Sequence, residues 1–317
     1  MKILFTLARP IDRQNGIRTF INESVKILWR LGHQVDVLVD TVPIPPAVFD
    51  GDGQLVINYS QDIEDWFANN YKGGYDLIIG NDVQSTNGIL RNPHGARVIH
   101  YIHTGGLIGQ NLTCLTDDYV DRERELIARC EVAGPHAIML RNAAGKEGHV
   151  IHLPLDYDPL LPVKGEEQSG IMFIGEGVAR KGAVDFIDYV RAGNYEAKII
   201  SGAHNDYFED RGFNPKFFDA DHQDEKYNFI RSAAIGIHPS HCETWGYVVM
   251  EMLLSKPVIV PAEFAWSEPL VDLGAVRVPK HEVLPTIERL LGQPHSNAKV
   301  LDYLNEAENC WKRLLNN

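Results

Sequence analysis

Pro239-Ser-His-Cys-Glu-Thr-Trp-Gly-Tyr-Val-Val-Met-Glu251 stands between two apolar runs, Ala234-Ile-Gly-Ile-His238 and Pro257-Val-Ile-Val260. Both runs have the length and composition of buried strands, and Gly246 opens a predicted helix over 246–255 that turns Val249, Met252 and Leu253 inward. Strand, loop, helix and strand in this order build an open α/β sheet. Ligands collect at the carboxyl edge of such sheets, where a helix start offers backbone N–H groups and glycine allows close approach. Glu243 falls just before the helix and Glu251 just inside it. Either glutamate alone reads as a solvated surface charge. Together, at one end of one helix, they suit hydroxyl groups, because a carboxylate accepts hydroxyl hydrogen bonds strongly.

Outward from this segment the same alternation covers the chain. Before it come strand Gly170-Ile-Met-Phe-Ile174, helix 181–192, strand Ala197-Lys-Ile-Ile200 and helix 223–233; after it, helices are predicted near 282–291 and 297–315. The first half opens with an apolar run over residues 2–8, a loop holding Asn15-Gly16, and a helix carrying Phe20, Val25, Leu28 and Leu31. Gly32 ends that helix, and Gln34-Val-Asp-Val-Leu-Val39 closes a βαβ unit. Asp76-Leu-Ile-Ile-Gly80, Arg97-Val-Ile-His-Tyr-Ile102, His136-Ala-Ile-Met-Leu140 and His149-Val-Ile-His152 read as further buried strands. Proline density rises over residues 153–162, and Lys164-Gly-Glu-Glu-Gln168 is polar. Two doubly wound parallel-sheet domains are therefore expected, over 1–155 and 169–317, joined by a linker at 156–168. The last helix is expected to pack back on the first domain.

Composition agrees with a folded globular protein and narrows its partners. The 317 residues exceed one ordinary core, and 44% hydrophobic with 23% charged residues is a globular balance. A formal charge of -13 disfavours nonspecific adhesion to nucleic acid or anionic membrane. Cys114, Cys130, Cys242 and Cys310 are far apart and read as reduced thiols. His238 and His241 stand beside the Glu243–Glu251 segment without a third ligand to make a metal site. The opening apolar run is too short for a signal peptide, and no apolar stretch reaches membrane-spanning length, so a cytoplasmic location is expected.

The segment Pro239-Ser240, Glu243, Gly246, Glu251, Pro257-Val258-Ile259 resembles the Glu-x7-Glu motif of the large retaining glycosyltransferase family of group 1 type, which includes bacterial glycan-building enzymes and phage DNA α-glucosyltransferases. Ser255-Lys256 stands where that family more often has a small residue and glycine. Phe173-Ile-Gly-Glu-Gly-Val-Ala-Arg-Lys-Gly182 resembles its diphosphate-gripping element, with Lys181-Gly182 in place, Arg180 beside it, and Glu176 where the family normally has arginine. Asn15-Gly16-Ile17 resembles the family's first-domain glycine loop, with Arg9, Arg13 and Arg18 near it. His103, followed by Thr104-Gly105-Gly106, resembles its active-site histidine; His100 stands nearby. Val150-Ile-His-Leu-Pro-Leu-Asp156 resembles the exit from its first domain, and Ser201-Gly202 the turn under the nucleotide base.

The resemblance implies a GT-B architecture, two Rossmann-like domains facing a cleft, and transfer of a sugar with retention from a nucleoside-diphosphate sugar, a UDP-sugar foremost. It implies ribose hydroxyls on Glu251, sugar hydroxyls on Glu243 and near His103, and diphosphate on Lys181 and Arg180. Backbone donors come from Gly246, Tyr247 and Val248, and Gly16 approaches the donor. The leaving phosphate takes the acceptor's proton, so neither metal nor cofactor is implied. Acceptors in this family are glycans, metabolites or a hydroxymethylated base of phage DNA. A non-catalytic nucleotide-sugar binder, suggested by Glu176 in the phosphate element, and an epimerase of the same fold are the competing readings.

Overall fold

A computed structural model describes residues 1–7, 16–40, 54–57, 64–65, 68, 71–103, 117–137, 140, 147–202, 205–218, 222–241, 243 and 246–316. The chain divides into two compact units, Met1–Leu155 with Glu306–Asn317, and Asp156–Asn305.

In the first unit, strands β1 (Lys2–Leu7), β2 (Gln34–Asp40), β3 (Gln54–Ile57), β4 (Leu77–Gly80), β5 (Arg97–Tyr101), β6 (Glu131–Gly134) and β7 (His149–Val150) form one sheet in the order β3-β2-β1-β4-β5-β6-β7. Every pairing is parallel. Helices α1 (Gly16–Arg30), α2 (Val83–Arg91) and α3 (Asp117–Arg129) connect them. Successive side chains of β1 point to opposite faces. Leu4 joins Leu38, Ile78 and Val98 in one apolar layer, while Phe5 turns the other way, 6.3 Å from Phe20 of α1 and 5.9 Å from Trp311. Trp311 belongs to α9 (Ala307–Asn316), the final helix, and its indole is fully buried among these rings. Arg97 donates from Nη1 to the carbonyl of Leu314 (3.1 Å), which satisfies one of the carbonyls left open at the helix end.

The second unit holds β8 (Ser169–Ile174), α4 (Ala183–Gly193), β9 (Ala197–Ile200), α5 (Gln223–Arg231), β10 (Ala233–Ile237), α6 (Tyr247–Leu253), β11 (Val258–Pro261), β12 (Val276–Val278), α7 (Val283–Leu290) and α8 (Ala298–Asn305). Its sheet is parallel throughout, in the order β12-β11-β10-β8-β9. Ile171, Phe173, Ile199, Ile235, Ile237 and Ile259 line the face covered by α4 and α7. The intervening Met172, Gly236 and Val258 lie in register on the opposite face. A Cβ on Gly236 would stand 2.6 Å from the sulfur of Met252, so the missing side chain is what lets α6 lie close against β10.

Several elements differ from the sequence reading. His136–Leu140 is not a strand at its described residues; the strand is Glu131–Gly134, one turn signal earlier, before Pro135. Its single outward glutamate ahead of Val-Ala-Gly masks the apolar run. β3 and β12 were not foreseen, because both are edge strands of three or four residues. The helix expected over 297–315 is two helices, broken at Glu306 where the chain passes from one unit to the other. Helix α6 is shorter than 246–255, and Ser255-Lys256 form the turn into β11.

Candidate functional site

The strand order of the second sheet reverses between β8 and β10, since β8 leads through α4 to β9 on one side while β10 and β11 extend the other. Loops leaving the carboxyl ends of two such strands diverge and open a crevice between them. Here the two loops are tied at their base. The carbonyl of Arg180 accepts from the backbone N–H of His241 (2.9 Å) and from the Ser240 hydroxyl (3.3 Å). Gly182 has a φ of +75°, and a Cβ there would lie 2.2 Å from the Pro239 carbonyl oxygen. Only glycine fits, both in conformation and in space. Gly182→Ala is therefore expected to push the loops apart, lower the melting temperature, and weaken binding at Lys181; a variant with unchanged melting and ligand affinity would contradict this.

This contact carries Lys181, at the end of a 3-10 turn over Ala179–Lys181, to Glu243. Lys181 Nζ donates to Glu243 Oε1, and His238 Nε2 lies 3.1 Å from the same oxygen. The His238 ring is buried edge-on against Trp266, with ring centres 5.6 Å apart, and the Trp266 indole N–H donates to the Ser240 carbonyl (3.2 Å). Burial alone would raise the Glu243 pKa, but the hydrogen bond and charge at His238, with those of Lys181, outweigh it and bring it down to about 2. Glu243 is a carboxylate at neutral pH. Its Oε2 has no hydrogen-bond partner among the described residues and stands as the atom able to accept a further hydrogen bond.

Gly246, with a φ of +71°, caps α6 and turns the chain so that Glu251 falls on its second turn. Glu251 is 8% exposed, against the expectation for a lone helical glutamate, and Lys226 of α5 reaches its Oε1 at 2.9 Å. Tyr247 and Val248 open the helix half-buried. Both motif carboxylates are thus met by a lysine from a neighbouring segment. Lys226 has no local signature in sequence, because only the packing of α5 beside α6 brings it to Glu251.

Arg180 and Glu176 bind each other instead, at 2.6 Å across one turn, with 47% and 39% of their side chains exposed. Each neutralises the other at the rim, so the charge of Glu176 is met within its own turn. Ser201 is buried and Gly202 has open space around it. Among the described residues no cluster of three metal-ligating side chains occurs.

In the first unit His103 follows β5 and packs on Phe20 (ring centres 4.9 Å) and Tyr101 (4.6 Å). Its Nε2 lies 2.8 Å from Oδ1 of Asn81, the residue after β4. Asn81 gives its amide N–H groups to the carbonyls of Thr6 (3.0 Å) and Ile79 (3.1 Å), so its oxygen must face the histidine. His103 therefore carries its proton on Nε2 and presents Nδ1 as an acceptor. Burial, with His100 nearby, lowers its pKa to about 3 and keeps the ring neutral. His100 is fully enclosed, with Thr86 Oγ1 at 3.1 Å and Glu123 at 3.3 Å, and belongs to the core. Gly16 is the first residue of α1. Arg9, Arg13, Asn15, Thr104, Gly105, Gly106, Cys114 and Cys242 lie outside the described residues.

Solved structures with this architecture cover nearly the whole chain. A sucrose-phosphate synthase from Thermosynechococcus elongatus aligns with 99% of this chain and 96% of its own, with a TM-score of 0.73 at 15% identity. HepE from Anabaena, solved in complex with UDP and glucose, covers 99% and 95% with a TM-score of 0.68 at 14% identity. AviGT4, a glycosyltransferase involved in avilamycin A biosynthesis, covers 99% and 96% with a TM-score of 0.65 at 15% identity. The chain has the GT-B fold. No protein-family model and no curated protein sequence matches it. In GT-B terms, Lys181 and Glu243 lie at the switch point of the C-terminal Rossmann-like sheet with Glu251 on the helix that follows, and His103 lies at the carboxyl edge of the N-terminal one. No described helix is long and apolar enough to cross a membrane.

Proposed function

We propose that the chain is a retaining glycosyltransferase that moves a sugar from a nucleoside-diphosphate sugar, a UDP-sugar foremost, to a hydroxyl acceptor. The observation that carries this reading is the pairing of each motif glutamate with a lysine at one sheet edge, each glutamate keeping one carboxylate oxygen unpartnered among the described residues. Glu243, ionised and held at Oε1, accepts a hydroxyl of the transferred sugar at Oε2. Lys181 meets the charge that builds on the diphosphate as the sugar leaves, the electrostatic contribution that dominates such chemistry. Glu251 takes ribose hydroxyls, and the backbone at Gly246 to Val248 adds to the donor grip. His103 offers Nδ1 to a sugar hydroxyl. The departing phosphate accepts the acceptor's proton on the same face, which retains the anomeric configuration. HepE, a fold neighbour complexed with UDP and glucose, supports a nucleotide-sugar donor.

The test is a donor-by-acceptor screen read by mass spectrometry, with glycans, small metabolites and hydroxymethylcytosine-containing DNA as acceptors and the anomeric configuration of product read by NMR. Release of nucleoside diphosphate that rises with acceptor, and falls at least tenfold in Glu251→Ala through a raised KM, is the expected result. Donor binding with no transfer to any acceptor would identify a binding protein instead, and a donor converted without transfer an epimerase. A DNA acceptor additionally predicts affinity that falls steeply with salt.

A further inference from the structure

Lys226 and Glu251 come from adjacent helices, and the side chains keep only 15% and 11% of their surface. Nζ donates to Oε1 at 2.9 Å. Among the described residues, Oε2 has no partner, and the remaining ammonium hydrogens meet only the Tyr227 ring, 5.8 Å away. A charged pair this enclosed is stable when its remaining hydrogen-bonding positions are filled, and expensive when they are not. What the pair offers is a strong acceptor beside strong donors. A phosphate would suit Nζ and be repelled by the carboxylate; an amine would do the reverse. A vicinal diol fits both, with one hydroxyl donating to Oε2 and the oxygen of its neighbour accepting from Nζ.

We propose that Lys226 and Glu251 read the ribose cis-diol of the nucleotide donor as a pair, Lys226 binding one hydroxyl oxygen and Glu251 the hydrogen of the other. This rests on the donor reading above and adds Lys226 as a specificity-determining residue. A pin between α5 and α6 would also explain the ion pair, but such a pin has no bearing on which sugar hydroxyls a nucleotide must carry.

The experiment is calorimetric titration with UDP, ADP, GDP and CDP, followed by the 2′-deoxy and 3′-deoxy forms of the tightest binder, against wild type, K226M, K226R and E251Q, with melting temperatures alongside. Wild type should prefer the ribonucleotide over each deoxy form by about tenfold or more, the size of a hydrogen bond to a charged group. K226M should weaken the ribonucleotide by a similar factor and bring one deoxy form level with it, whatever its melting temperature. E251Q should weaken preference at the other hydroxyl, and K226R should keep both preferences. Wild type binding both deoxy forms as tightly as the ribonucleotide would overturn the proposal, as would K226M retaining both preferences while E251Q loses one; in either case the donor reading stands. Absence of binding by wild type to all four diphosphates would overturn both.

Discussion

Glu243→Ala should abolish transfer, lowering kcat by about a thousandfold, the scale on which a single preorganised contact to a reacting group acts. The same substitution leaves the Lys181 ammonium and the His238 imidazole in a half-buried corner without the carboxylate that both now address. An unpaired charge of that kind is destabilising. Melting temperature should therefore fall together with activity. Glu243→Gln separates the two effects, since it keeps the shape and a hydrogen-bonding oxygen while removing the charge: activity should stay low while much of the packing survives. The pH dependence has a definite sign. Glu243 titrates at about 2 in the folded chain against an ordinary 4.5, so the folded state holds its proton less tightly than the unfolded one. The resulting stabilisation, about 3 kcal/mol, is complete above the ordinary value and is lost as pH falls toward 2. Acid unfolding of wild type and Glu243→Gln compared by circular dichroism checks this: the wild type should lose more stability than the variant across that window, and parallel curves would refute it.

Much of this corner was legible in sequence because its parts are local. Glu243, Gly246 and Glu251 sit on one strand-loop-helix unit, and the inward face Val249, Met252 and Leu253 is fully buried as the helical period requires. Lys181-Gly182 was legible as a motif, but not the reason for its glycine, which is the Pro239 carbonyl in the loop leaving β10, far on in the chain but next to β8 in the sheet. Lys226 and Asn81 were missed for the same reason. Neither stands in a pattern with the residue it touches; Asn81 meets His103 across neighbouring strands β4 and β5, and Lys226 meets Glu251 across two helices. The pairing of Glu176 with Arg180 was hidden in the same way, because a residue taken alone carries its charge without its partner, here one turn on. The break at Glu306 was hidden because helical periodicity continues through it: Val300, Tyr303, Leu304, Ala307, Cys310, Trp311 and Leu314 are all buried, though in two different cores.

The turn Ser255-Lys256, where the resemblance departs toward a bulkier pair, leads to the second large expectation: Lys256→Met should make the second unit more stable. Lys256 is fully buried, and Nζ bonds to its neighbour Ser255 Oγ at 2.7 Å. Burial first, then the charges of Lys198 and Arg231, lower its pKa while Glu166 works the other way, and together they bring it to about 7. His295, which holds the Leu253 carbonyl at the end of α6 at 2.6 Å, is itself lowered by burial, and by Lys256 as well, against the raising effect of that carbonyl bond. An ammonium here is opposed by two other cations and helped by one carboxylate. Between pH 7 and an ordinary lysine value of 10.5, the unfolded chain binds a proton that the folded chain releases. Stability therefore climbs as pH rises through that window and is lowest below it, by about 4 kcal/mol at neutral pH. Methionine matches the length of the aliphatic stem and brings no charge, so the variant should recover a few kcal/mol at pH 7, or roughly 5–10 °C in the unfolding transition of that unit. The gain should shrink as pH approaches 10. Scanning calorimetry of wild type and variant at pH 6, 7, 8 and 9 measures both trends, and a Lys256→Met variant less stable than wild type at pH 6 would mean that the buried ammonium is held by its surroundings rather than tolerated by them.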